Sequence, residues 1–315
     1  MASPKKRIGI IQILLLFGNV LSILLLLFSY LASYINPNTF SYIAFAGLAY
    51  PYILLLNLIF VVIWIFVRIK FALFSVLFIL LGWNQMFRVY QFPGGNSNPL
   101  PDNKMKLVSY NAQNFIKVNT TNTKYITDFT NQNLIVEFLQ NQKADIYCIQ
   151  EMLNDRISNS EFIRRMSSEL DCPHYYFENY YSKSKKIVDA VAVFTKYKII
   201  DKGHIQFDDK TIGIFVDVIK GPDTLRVYNL HLASIHFRKE DIDFWTGIGQ
   251  QQDQEEIKLG TRNILDKMNK AFQKRARQAN IVSDHVISGS PFPVIVQAIL
   301  TILPRPIPIA EYQPG

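Results

Sequence analysis

The chain has 315 residues, a net charge of +8 and an apolar content of 49%, which leaves room for one or two domains. Its two cysteines, Cys148 and Cys172, are too few for a disulfide framework and have no metal-site spacing, which excludes a disulfide-stapled or zinc-stapled scaffold. The apolar residues crowd into the N-terminal part, which excludes a uniformly water-soluble chain. Lys5, Lys6 and Arg7 precede an uncharged run over residues 8–35, and a second run covers 44–67, broken only by Pro51 and Asn57. A third, 71–87, is bounded by Arg68, Lys70 and Arg88. A helix needs about 20 apolar residues to cross the hydrocarbon core, and the first run is too long for a cleaved leader. The sequence predicts a membrane anchor over 1–91 with three crossings.

Positive charge sets the orientation. Lys5, Lys6 and Arg7 hold the N-terminus in the cytoplasm, and Arg68 and Lys70 return the chain to that side. A third crossing then delivers the rest of a multi-pass inner-membrane protein to the outer, periplasmic side; two crossings would leave it inside. Residues 92–103, rich in Pro, Gly and Asn, read as a linker. From Lys104 short β-like runs alternate with helical stretches. Strands are predicted at 106–110, 145–149, 188–195, 212–219 and 225–232, with another from 292 to 296. Helices are predicted at 130–141, 160–170 and 260–286. Mixed strands and helices imply a layered α/β domain over 104–296. The basic groups Lys183, Lys185, Lys186 and Lys270, Lys274, Arg275, Arg277 read as solvated surface, or as attraction for phosphate.

Three strand ends carry candidate chemistry. Asn111 ends the first strand, Glu151 follows the apolar run Ala144–Gln150, and Asn229 and His231 share one face of a strand, two residues apart. Taken singly, Asn111 reads equally as a turn former, Glu151 as a solvated loop residue and His231 as a core histidine. Lining one cleft, an amide, a carboxylate and an imidazole suit Mg²⁺, which takes one or two protein carboxylates plus substrate phosphate.

The stretches SYNAQNF, ADIYCIQEM, VAVFTKYKII and YNLHLAS, in this order, resemble the endonuclease/exonuclease/phosphatase superfamily of DNase I-like enzymes, over about Lys106 to Val296. The resemblance implies a DNase I-like four-layer α/β sandwich. It implies divalent-metal-dependent phosphoester hydrolysis with Mg²⁺ or Mn²⁺, on a nucleic acid, phospholipid or sugar phosphate. Glu151 and Asn111 match the metal-site positions, and His231 the residue that contacts the scissile phosphate; Asn229 joins Asn111 and His231 as a catalytic candidate. Metal at Glu151 would polarise a phosphoryl oxygen, with Asn111 and His231 donating to the developing charge.

The family pattern then breaks. After SPFPVIV it expects a strand ending Gly-Asp-Phe-Asn, which supplies an Asp that activates water and a partner Asn, and later a terminal Asp-His. Here the sequence reads Gln297-Ala298-Ile299-Leu300-Thr301-Ile302-Leu303-Pro304 and continues as a proline-rich tail, 297–315. Codons for that string, read two bases on, can spell Gly-Asp-Phe-Asn-Asp-Thr-Pro. Loss of one base, or gain of two, near Val296 or Gln297 accounts for the break. The C-terminal part of the fold is expected to be incomplete, catalysis impaired, and a sheet edge left open. Ser283-Asp284-His285 spells the terminal motif in the wrong place and reads as a helix end. The rival reading is a non-enzymatic membrane-anchored binding protein with a native tail.

Overall fold

A computed structural model describes residues 9–90, 104–113, 116–118, 125–127, 129–153, 159–181, 188–207, 212–235, 237, 239–247 and 253–299. The N-terminal basic residues, the linker 92–103, the cluster Lys183–Lys186 and the tail from 300 onward lie outside the described residues. The chain divides into two compact units, Met1–Asn98 and Pro99–Gly315.

The first unit is helical: α1 (Ile10–Leu31), α2 (Ile43–Val67), α3 (Ile69–Leu81) and α4 (Trp83–Val89). Two of these, α1 and α2, are long and apolar enough to cross a membrane; α3 and α4 pass the same test only together, bent by 61°. Most of their Leu, Ile and Phe side chains point outward. Asn19, Ser22, Ser29, Asn57 and Ser75 point inward. Asn19 donates to Ser75 Oγ at 2.8 Å and accepts from Trp64 Nε1 at 3.0 Å, so one amide ties α1 to α2 and α3. Asn57 Nδ2 donates to Ser22 O at 3.1 Å. Further along, Tyr30 donates to Phe78 O and Ser33 to Gln85. The pairs 19 with 75, 30 with 78 and 33 with 85 rise together, so α3–α4 runs in the direction of α1. The pairs 19 with 64 and 22 with 57 fall against each other, so α2 runs opposite.

In the second unit a four-stranded sheet has the order β1 (Leu107–Asn111), β4 (Ile146–Leu153), β6 (Val188–Thr195), β5 (His174–Tyr181). Strands β1 and β4 are parallel and the other neighbours antiparallel. A second four-stranded sheet has the order β10 (Val294–Ile299), β9 (Asp223–His231), β8 (Ile212–Lys220), β7 (Lys198–Gln206), with only β10 and β9 parallel. A short antiparallel hairpin joins β2 (Ile116–Val118) and β3 (Tyr125–Thr127). The alternation of β4 explains the packing. Ile146 and Cys148 face Val191, Val193, Val216 and Val227 in one core shared by both sheets. Tyr147 and Ile149 face the other way, into a core with Leu139 of α5 (Phe129–Gln142) and Met166 of α6 (Asn159–Glu169). Burial drives the Cys148 thiol up to about 12, so it is a structural, unreactive thiol.

The outer face of the second sheet is covered by α8 (Gln254–Gly289), against which α7 (Lys239–Gly247) packs. Ile264, Ala271, Arg275, Gln278 and Val282 form its buried stripe, with the three- and four-residue steps of an amphipathic helix. Val282 meets Tyr228 and Leu230 there. Arg275, read from the sequence as surface charge, is therefore inside, 8% exposed. Ser283-Asp284-His285 lies within α8 as expected. His285 Nδ1 is 2.9 Å from Tyr228 Oη, and its ring meets Phe215 and Tyr228.

The β9–α8–β10 crossover returns β10 parallel to β9, with Gln297 beside Asn229, Ala298 beside Leu230 and Ile299 beside His231. β10 is an edge strand, with Val296 46% exposed.

Candidate functional site

The strand ends of β1, β4 and β9 meet between the two sheets. Regular alternation would send Glu151 to the helix side, because Gln150 already faces the other sheet. Two observed features prevent this. The β4–β6 register shifts between Ile149 and Met152, and Glu151 has φ 52°. A left-handed conformation costs a non-glycine residue about 1–2 kcal/mol and persists only where the surroundings impose it. The bulge turns two consecutive side chains, Gln150 and Glu151, toward the second sheet, and Met152 returns to the helix-side core.

Asn111 Nδ2 donates to Glu151 Oε1 at 2.9 Å. His231 Nε2 lies 3.1 Å from the same oxygen, an ion-pair contact when the imidazole is protonated. Asn111 Oδ1 accepts the Gln113 N–H at 2.9 Å, an Asx turn that fixes the amide as the chain leaves β1. The His231 side chain is 8% exposed and that of Glu151 18%, so the carboxylate is more open than the imidazole. Three of the four residues singled out in the sequence thus converge on one carboxylate oxygen.

Asn229 is placed differently. It is fully buried, and its Nδ2 donates to Ile149 O at 3.1 Å and Ala192 O at 2.8 Å. Its Oδ1 accepts from Gln150 Nε2, and Gln150 also reaches Ser109 Oγ at 3.3 Å. Asn229 therefore links the second sheet to two strands of the first, one layer beneath the converging group. Gln150 carries this link; the resemblance marks the Gln-Glu pair as part of the site but does not give Gln150 this partner. A groove of about 460 Å³ between the starts of β5 and β7 is lined by His174, Tyr175, Asp201 and Lys202 among others, and by none of the converging residues.

Among the described residues no group of three His, Cys, Asp or Glu side chains could hold a metal ion. Glu151 offers a single carboxylate. That fits Mg²⁺ held through one carboxylate with its waters and a substrate phosphate, and does not fit a closed all-protein cage.

Residues 12–89 match a family model described as a domain of unknown function, DUF8431. No curated protein matches the chain. Among solved structures, it is similar to an endonuclease/exonuclease/phosphatase from Beutenbergia cavernae (TM-score 0.34, 11% identity, 51% of this chain and 43% of that one). It is also similar to an endonuclease/exonuclease/phosphatase family protein from Leptotrichia buccalis (TM-score 0.32, 15% identity, 48% of this chain and 64% of that one). A third is D. rerio TDP2 complexed with single strand DNA product (TM-score 0.37, 12% identity, 62% of this chain and 60% of that one). The chain spans less than two thirds of each of these structures.

Proposed function

We propose that this chain is a membrane-tethered, divalent-metal-dependent phosphoester hydrolase of the endonuclease/exonuclease/phosphatase kind, with a DNase I-like four-layer sandwich, in which one half of the catalytic constellation is in place. The observation that carries the reading is the meeting of Asn111, Glu151 and His231, from three strands of two sheets, at Glu151 Oε1. Glu151 would hold Mg²⁺ or Mn²⁺, which when bound supplies Lewis-acid stabilisation of a phosphoryl oxygen. Asn111 and His231 would donate hydrogen bonds to the non-bridging oxygens as negative charge builds on them. Asn229, with its amide committed to the sheet seam, is read as the residue that sets the spacing of β4 and β9. The substrate is a phosphate ester: a nucleic acid, phospholipid or sugar phosphate.

The other half is missing from β10. The register pairs position 299 with His231 and position 298 with Leu230, whose side chain packs toward α8. On the proposed reading, the group that activates water occupies the position paired with His231, 299, where this chain has isoleucine. The two proposed routes to a frame break differ in where they place that group. Loss of one base before the Gln297 codon would put the family's Asp at 299; gain of two bases would put it at 298, on the wrong face. Loss of one base is the route the register favours. The chain as it stands is expected to bind a phosphate ester and to hydrolyse it at a rate near background, because general-base groups contribute about 10²–10⁴-fold.

The anchor is read as three crossings, with α3–α4 as the bent third. Support comes from its hydrogen bonds to α1, from Asn19 to Ser75 and from Tyr30 to Phe78, which rise in the same direction along both helices. The second unit would then lie on the side opposite the N-terminus. Protease added to sealed, right-side-out vesicles would degrade the second unit; full protection would defeat the three-crossing reading.

Catalysis is tested on the full chain with Mg²⁺ and bis(p-nitrophenyl) phosphate, beside a variant carrying Ala298→Gly, Ile299→Asp, Leu300→Phe and Thr301→Asn. The repaired variant should gain a metal-dependent rate that Glu151→Gln removes. No metal-dependent rate in the repaired variant, together with no binding of inorganic phosphate by either protein, would sink the reading.

A further inference from the structure

We infer that Arg275 and Gln278 of α8 are positioning residues that hold His231 in place by gripping the backbone two residues beyond it. The Gln278 side-chain oxygen accepts the Ala233 N–H at 2.8 Å, and Arg275 Nε donates to Ala233 O at 2.7 Å. Both backbone groups of one residue are thus taken by side chains one helical turn apart. The ladder explains why they are needed. Among the described residues, pairing of β9 with β8 runs to Leu230 and with β10 to His231. Yet the chain stays inside: Leu232, Ala233 and Ile235 are all under 9% exposed. Buried backbone polar groups must find partners, and here a helix supplies what an extra strand pair would.

The partners are costly choices for mere packing. Arg275 is 8% and Gln278 3% exposed, and burial holds the Arg275 guanidinium below its ordinary value. An aliphatic pair at these positions would fill the space without desolvating a charge. It would leave Ala233 without partners and the end of β9 free to rotate. The imidazole of His231 must meet Glu151 Oε1 within hydrogen-bond reach, and displacement of about 1 Å at such a site costs on the order of 10²-fold in rate. The clamp transfers the rigidity of a 36-residue helix to the strand end that carries the imidazole. What His231 acts upon rests on the phosphoester-hydrolase reading; where it is held does not.

The test uses the full chain in detergent, with ¹³C-labelled histidine rings. The chain has five histidines, and His231→Gln assigns the cross-peak. Gln278→Leu and Arg275→Leu should shift or broaden the His231 peak by more than its linewidth and leave those of His174 and His204 unmoved. Gln278→Glu, which keeps an acceptor oxygen, and Arg275→Lys, which keeps a donor, should return it toward its original position. An unmoved His231 peak in Gln278→Leu would overturn the inference. So would equal movement of all five peaks, which marks general loosening. Titration with inorganic phosphate and Mg²⁺ separates the two readings. A wild-type His231 peak that ignores phosphate counts against the hydrolase reading and leaves the clamp standing.

Discussion

Asn229→Asp replaces an amide with a carboxylate of the same shape, so its effect isolates hydrogen bonding from packing. The change removes both donors that Asn229 gives to Ile149 O and Ala192 O, at a position with no exposure. Each buried acceptor left unpaired costs about 1–3 kcal/mol, which gives about 2–6 kcal/mol for the two. At about 2–4 °C per kcal/mol for a domain of this size, the midpoint should fall by on the order of 10 °C. Burial and two facing carbonyls will also hold the new carboxyl above its ordinary value of about 3.9. A folded-state value above the unfolded one means that the folded protein gains protons first. The deficit relative to wild type should therefore narrow as pH falls through the folded value toward 4. A thiol-reactive dye reads this unfolding selectively in the intact chain, because Cys148 and Cys172 are both fully buried in the second unit and the helical unit contains no cysteine. A midpoint within about 2 °C of wild type, or a deficit that stays constant with pH, would refute the reasoning.

Three further outcomes follow from the same contacts. Mg²⁺ should raise the wild-type midpoint, by about 2.7 kcal/mol when the ion is at 100 times its dissociation constant, and should leave Glu151→Gln unmoved; equal shifts in both would place the ion elsewhere. Asp217→Ala should cost about 3–5 kcal/mol because it strands a buried guanidinium. Arg226 takes Asp217 through two bonds of 2.6 and 2.7 Å, and both residues are under 5% exposed. Asp201→Ala, which removes a carboxylate 62% exposed and 3.6 Å away, should cost under about 1 kcal/mol, and urea midpoints compare the two. Burial, with nearby Arg226, holds His285 below the ordinary imidazole value, so the unfolded chain takes the proton first. The resulting stability is complete above about pH 6.5 and falls as pH drops below it; Gln in place of His285 should flatten that slope between pH 7.5 and 5.

Much of the fold was legible where a strand is buried on both faces or a helix is amphipathic. β6 matches its predicted bounds, and β8 and β9 differ by a residue or two, because Val and Ile runs between turn residues leave little choice. The strands β5 and β7 were not foreseen. HYYFENYY and KIIDKGHIQ mix polar and apolar residues, since each is an edge strand with less to bury. At the site, the residue types and their order were legible, but the way they meet was not. Alternation predicts that Gln150 and Glu151 diverge; the bulge and the left-handed Glu151 bring them to one side. The separate standing of Asn229 was likewise invisible, since an NxH strand puts both side chains on one face without saying how deep each lies. Arg275 shows the reverse error. Counted as one of a basic run, it was read as surface, while its three-residue step to Gln278 on the buried stripe is the signal that places it inside.

The shared amide of Asn19 implies an order in which the helical unit is built. On the proposed three-crossing reading, when α1 and α2 first pair in the bilayer Trp64 can already hold the Asn19 oxygen, but the amide's donor waits for Ser75 on α3. Until that helix arrives, a polar group faces hydrocarbon or whatever the insertion machinery offers it. The hairpin of α1 and α2 is thus an unfinished product that carries its own sign of incompleteness. A nascent chain stalled before Ser75 should remain exchangeable with the machinery, and one extended past it should be released.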